Sequence, residues 1–286
     1  MTVRTLQQVI PSVPTSDGAG VKLRRSLGSQ RGLTVDPFLM LDEFSTDNPD
    51  DYIAGFPAHP HRGFETVTYM LDGHLLHEDH LGNRGDLKSG GAQWMTAGRG
   101  IIHSEMPQQT EGRMRGFQLW VNLPANEKMK PAWYRDIEPH EIPQVTLADG
   151  GTAKIIAGSI NVAGVVTDGV ITGHTTDPLY LDVDLPNGSP FHYYLRDDYS
   201  AFIYLYEGAL QVGAPGNTRP LTMQTGAVLS PGDQITVTAD NGPARFLLLA
   251  GKPIKEPVVQ YGPFVMNTRD EVEQAVRDYQ AGVLTG

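Results

Sequence analysis

The sequence predicts an all-β protein made of two related β-domains and closed by one C-terminal helix. Three observations carry this. Apolar runs rich in β-branched and aromatic residues are short: TVTYML (66–71), MRGFQLWVNL (114–123), KIIAGSI (154–160), SAFIYLYEG (200–208) and ARFLLLAG (244–251). Turn signals such as LDG, PNG, APGN, SPGD and DNGP separate the strands, fed by 32 glycines and 21 prolines. Evenly spaced short strands of this kind build sandwiches or barrels. The pattern also recurs at an offset of roughly 135 residues. ETVTYMLDGHLLH (65–77) aligns with SAFIYLYEGALQV (200–212), and WMTAGRG (94–100) with VLSPGDQ (228–234).

The recurrence places a domain boundary near residues 135–150, where RDIEPHEIPQ and LADGG read as a connection. The expected domains are 1–140 and 141–286. In MNTRDEVEQAVRDYQAGVL, Thr268 and Glu271 have capping-box spacing. Val272, Ala275, Val276 and Tyr279 follow as a narrow apolar stripe at helical spacing, and Gly282 supplies a stop. This helix is assigned a packing role.

Composition removes several function classes. A chain of 286 residues with 40% hydrophobic and 19% charged residues is of globular type and can bury a sizeable core. A formal net charge of −11 opposes general nucleic-acid binding, which needs a basic footprint. With no cysteine, disulfides, thiolate nucleophiles and Cys-type metal sites are excluded. No run approaches the ~20 apolar residues of a membrane span, and no signal-peptide core opens the chain. A cytoplasmic location is expected. A monomer is the default, because tandem barrels can satisfy their own edges.

The chemistry concentrates in two segments. GFPAHPHRGFETVTYMLDG (55–73) contains His59-Pro60-His61. Residues i and i+2 of an extended chain share a face, so both imidazoles can converge. Pro60 favours extension at His59 and places the pair at a strand edge or start. TAGRGIIHSEMP (96–107) repeats the spacing with His103 and Glu105 after a glycine-rich turn. Three imidazoles and one carboxylate suit iron(II), manganese, nickel, copper or zinc. Glu65 has the parity of His59 and His61 and competes with Glu105 as the carboxylate. The alternative for Glu65 is an ion pair with a neighbour such as Arg62. An isolated HxH is weak evidence, but two such pairs on separate strands, each beside glycine, are much stronger.

These segments, with DPFLMLDEF (36–44), GFQLWVNLP (116–124) and EPVVQYGPFVMNTRDEVEQA (256–275), resemble the cupin superfamily and in detail the pirin family. The resemblance spans nearly the whole chain. It implies two tandem cupin barrels (double-stranded β-helix or jelly-roll) with iron in the N-terminal one. It implies His59, His61, His103 and Glu105 as ligands, and so favours Glu105 over Glu65. Glu65 then becomes a wall residue that could orient a histidine N–H.

By the offset, His59 and His61 correspond to Tyr194 and Arg196, and His103 and Glu105 to Val237 and Ala239, so no second metal is expected. His174 and His192 are isolated. In HLLHEDH, His77 is the one expected to border the site, with His74 and His80 solvated.

The resemblance implies a metal-dependent dioxygenase of the quercetin 2,3-dioxygenase type. It would hold one divalent ion, iron(II), act on a flavonol with dioxygen, and use Glu105 as proton acceptor. Phe56, Phe64, Trp94, Met95 and Phe117 are the candidate apolar walls. The alternative is a redox-sensing iron protein that regulates a transcription factor or enzyme through protein–protein contact. Structural zinc is weaker, since such sites are closed and four-coordinate.

Overall fold

In the computed structural model, which describes residues 1–30 and 32–286, the chain forms two compact units. One comprises Met1–Ser12, Val35–Pro37 and Glu141–Pro253; the other comprises Val13–Thr34, Phe38–His140 and Ile254–Gly286. We call the latter the histidine unit and the former the second unit. The expected contiguous halves, 1–140 and 141–286, are therefore corrected at both chain ends. Partner choice is the reason. The strand Leu6–Pro11 pairs antiparallel with Thr225–Leu229, satisfying backbone groups that would otherwise form a bare edge. The C-terminal helix packs within the histidine unit.

Both units follow one plan, as the internal recurrence leads one to expect. The histidine unit has a seven-stranded sheet in the order Trp133–Ile137, Ala92–Thr96, Phe64–Asp72, Met114–Asn122, Phe38–Thr46, Val21–Arg25, Val13–Asp17. Its four-stranded sheet runs Phe56–His61, Ile101–Pro107, His74–Asp79, Arg84–Lys88. In the second unit the seven strands are Leu6–Pro11, Thr225–Leu229, Ser200–Glu207, Ala244–Gly251, Leu179–Leu185, Thr152–Ala157 and Gln144–Thr146. Its four are Pro190–Tyr194, Gln234–Ala239, Ala209–Val212 and Arg219–Thr222. Side-chain alternation builds the cores. Leu181, Val183, Ile203, Leu205, Phe246 and Leu248 sit at i, i+2 spacing on three neighbouring strands and meet in one cluster.

The helix spans Arg269–Gln280, and Thr268 caps it: its side chain accepts from the Glu271 amide while Glu271 reaches back to the cap. Val272 and Ala275 are buried, and Gly282 follows with a φ of +73°. Phe264, Ala275 and Leu284 form a small cluster with Val276 against it. Arg62 pairs with Asp278 at 2.7 Å and donates to the Leu284 carbonyl at 3.0 Å. Thr268→Ala removes the cap and is expected to cost about 1 kcal/mol in chemical denaturation, with no change in metal affinity. Among the described residues no helix is long and apolar enough to cross a membrane.

Candidate metal centre

The strand Phe56–His61 is the outer member of the four-stranded sheet. That position tolerates Pro60, which has no amide to donate. Its neighbour Ile101–Pro107 pairs antiparallel with Ile101 opposite His61 and His103 opposite His59, and the register then shifts before Glu105. Alternation buries Ile101, His103 and Glu105. Local turns fix the approach. Gly63 has a φ of +91°, and a Cβ there would lie 2.0 Å from the Val265 carbonyl oxygen. Only glycine lets the chain turn so closely after His61.

His59, His61 and His103 meet. Their ring centroids are 4.7 Å (His59–His61), 4.3 Å (His59–His103) and 5.0 Å (His61–His103) apart. One nitrogen from each lies within 4.8 Å of the other two. His59 Nδ1 faces the Pro57 carbonyl oxygen at 2.8 Å. That carbonyl can only accept, so Nδ1 carries a proton, and in the neutral ring Nε2 is the nitrogen with a free lone pair. His61 Nδ1 and His103 Nε2 are buried and have no hydrogen-bond partner. Burial, followed by the neighbouring imidazoles, pushes the pKa of both rings well below the usual histidine range. They are therefore neutral, the form in which imidazole binds a metal. Buried ring nitrogens left bare are costly unless something occupies their lone pairs. The donor set fits one divalent ion.

The two carboxylates have separate surroundings. Glu105, 5% exposed, borders the cavity beside His59 and His61. Its Oε1 accepts from the Thr68 hydroxyl at 3.0 Å. The same hydroxyl lies 2.5 Å from the Gln118 side chain, and one proton cannot serve both, so the Gln118 amide is best turned to donate to Thr68. Glu105 is not in the three-histidine cluster. Glu65, 1% exposed, accepts from Thr96 at 2.6 Å and lies 3.8 Å from Lys130 Nζ. Arg62, its expected alternative partner, serves Asp278.

A cavity of about 670 Å³ opens at this cluster; its lining includes His59, His61, Glu105 and Gln118 together with the apolar side chains of Leu23, Met40, Phe44, Phe56 and Trp120. That volume suits a small organic molecule. Arg25 and Asp42 pair in its wall at 2.7 Å. Of the five expected wall residues, only Phe56 lines the cavity. Phe64, Trp94, Met95 and Phe117 point into the core, at 0%, 0%, 2% and 0% exposure. Sequence reasoning missed Thr68, Gln118 and Trp120. Parity would have found two of them: Gln118 and Trp120 alternate with the buried Phe117 and Leu119 on one strand.

His77, His74 and His80 do not converge. His77 is 2% exposed and its Nδ1 lies 3.3 Å from His103 Nδ1. His74 pairs with Asp86, and the His80 ring accepts from the Ile102 amide at 3.2 Å. In the second unit the expected correspondence of Tyr194 and Arg196 with His59 and His61 is corrected. Tyr194 is 64% exposed and the Arg196 side chain 68%. The inner face of that four-stranded sheet instead carries Phe191, Tyr193, Ile235 and Val237, packed as apolar core.

Known proteins resemble this chain over most of its length. Residues 20–121 match the Pirin family and residues 180–285 the Pirin C-terminal cupin domain. A Pseudomonas aeruginosa protein named "Putative quercetin 2,3-dioxygenase" is 55% identical over 95% of this chain and 94% of its own. Human pirin is 42% identical over 93% of this chain and 88% of its own. The crystal structure of quercetin 2,3-dioxygenase from Acinetobacter baumannii superposes with a TM-score of 0.88 at 32% identity, covering 99% of this chain and 98% of that one. The fold is therefore two tandem cupin barrels with a C-terminal helix, and the chain belongs to the pirin family.

Proposed function

We propose that this protein is a metal-dependent dioxygenase that cleaves flavonols such as quercetin, with iron(II) held by His59, His61, His103 and Glu105. The observation that carries the reading is the cavity itself. Three imidazoles converge, and two of them, with the Glu105 carboxylate, line a space of about 670 Å³ that apolar side chains also line. A divalent ion bound there supplies Lewis acidity and a point at which substrate and dioxygen are organised.

The remaining work falls to the chain. Phe56, Trp120 and Met40 offer flat, apolar contact to fused aromatic rings. A flavonol carries an acidic hydroxyl beside a carbonyl, and Glu105 accepts that proton on a carboxylate oxygen. Thr68 donates to Oε1 of Glu105 and holds the carboxylate in place. Gln118 supports Thr68 in turn. The relatives' names support the reaction class, and the open cavity opposes a purely structural ion, whose site would be closed.

The test is direct. Protein loaded with iron(II) is mixed with quercetin while absorbance and dioxygen are followed together. Loss of quercetin matched by dioxygen uptake, well above the rate with free iron, is expected. Uptake and absorbance change no faster than free iron would sink the proposal.

A further inference from the structure

Behind His103 lies a buried chain of polar groups that the reaction as described does not use. His77 sits on the strand next to that of His103, in the register that puts Glu105 opposite His77 and His103 opposite Asp79. Its ring stacks on Tyr134, with centroids 4.3 Å apart and planes 17° apart. His77 Nδ1 lies 3.3 Å from His103 Nδ1, and His77 Nε2 lies 3.5 Å from Asp79 Oδ2.

Asp79 anchors this chain. Its side chain is fully buried. Oδ1 accepts from the amides of Leu81 at 2.9 Å and Asn83 at 3.1 Å, and Oδ2 from the Asn83 side chain at 2.8 Å. A carboxylate held by three donors is an acceptor, so the ring nitrogen facing it must carry a proton. A neutral imidazole has one proton. In the neutral ring with Nε2 of His77 protonated, Nδ1 is bare and can only accept. The nitrogen facing it, His103 Nδ1, must then donate, which leaves His103 Nε2 bare. That is the buried nitrogen with no partner, on a residue of the converging cluster.

We propose that Asp79 and His77 are positioning residues that fix His103 as the Nδ1–H tautomer and so turn its Nε2 lone pair toward the metal position. A hydrogen-bonded carboxylate behind a ligating imidazole also raises the basicity of that imidazole. Here a second imidazole relays the effect, and Tyr134 holds its plane. The proposal rests on the metal reading of His103, but the tautomer is a property of the metal-free protein and can be measured without any ion.

The experiment uses the whole chain, labelled with ¹⁵N at histidine. In metal-free wild type, ring ¹⁵N spectra are expected to show His103 protonated on Nδ1 and His77 on Nε2. The opposite tautomer at either ring overturns the proposal, whatever any variant does. Cobalt(II) is then titrated against a competing chelator. His77→Phe keeps the stacking on Tyr134 but cannot accept. It is expected to show an Nε2–H population at His103, a changed cobalt visible spectrum, and affinity lower by about 10–100-fold. His77→Gln, whose side-chain oxygen can accept, should recover most of that loss. A His77→Phe protein that binds cobalt as wild type does refutes the relay. If wild type itself binds no cobalt or iron(II), the metal reading fails instead, and the tautomer result still stands on its own.

Discussion

Replacing His61 or His103 by alanine should leave the purified protein with less than a tenth of the wild-type metal content, measured by mass spectrometry of the metal after reconstitution with iron(II). Loss of a residue that merely supports a ligand already costs about 10–100-fold in affinity, so removing a ligand should cost at least about 100-fold. The two-imidazole remnant cannot draw a replacement donor from Leu23, Met40 or Phe44, which are apolar members of the cavity lining. The metal-free variants should stay folded. His61 packs against Phe64 and Trp120 at centroid distances of 5.1 and 5.4 Å, and alanine gives up those contacts. It also removes a buried nitrogen without a partner, which offsets part of the loss. Added metal should then raise the melting temperature of wild type, by mass action worth about 2.7 kcal/mol at a hundredfold excess over Kd, and leave the variants unmoved. A variant that retains one metal per chain would refute the ligand assignment.

The largest effect on stability is expected at Lys128, which lies far from any obvious motif. Its side chain is 1% exposed, and Nζ donates to the Gly63 carbonyl at 2.7 Å, the Asn122 side chain at 2.6 Å and the Val265 carbonyl at 3.0 Å. All three ammonium protons are used. Lys128→Ala strips three buried acceptors at once and should cost about 3–5 kcal/mol in denaturant unfolding, since hydrogen bonds to a charged group are worth about 1.5–3 kcal/mol each and do not add fully. Because Gly63 follows His61 within the same turn, metal affinity should fall as well.

The pH dependence follows from the same burial. Desolvation lowers the Lys128 pKa from 10.5 to about 8. Between those values the unfolded chain holds the proton more often than the folded one, so stability rises with pH. Relative to Lys128→Met, wild type should gain up to about 3 kcal/mol from pH 8 to 10.5. The gain is lost as pH falls through 8. A flat difference across that window would show that the ammonium is not held as described.

Much of the centre was legible because it is built from short-range spacing. HxH and HxE on strands put side chains on one face by geometry alone, and the converging rings of His59, His61 and His103 follow from that. The helix was legible for the same reason: Thr268, Glu271, Val272 and Ala275 state its start and its buried face within two turns. Arg62 was harder, since its partner Asp278 is distant in sequence. The walls were misread where aromatic content stood in for direction. Phe64, Trp94 and Phe117 are strand residues like Trp120, and only the facing of each strand separates core from cavity. His77 was placed near the pocket, yet its connection to Asp79 depends on a turn, Asp79–Asn83, whose hydrogen bonds no pattern announces.

Sequence alone was enough for the all-β class, the repeated domain plan, the capped helix, the exclusion of thiol chemistry and the three histidines that the structure brings together. Each of these rests on composition, on spacing within a few positions, or on a local pattern that recurs along the chain. Tertiary structure alone decided which unit takes each chain end, that Glu105 and not Glu65 borders the cavity, that Trp120 lines it, and how His103 is backed. Those depend on strand pairing and on which groups burial leaves without water. In a β-fold such contacts join residues tens to hundreds of positions apart, and no local pattern encodes them.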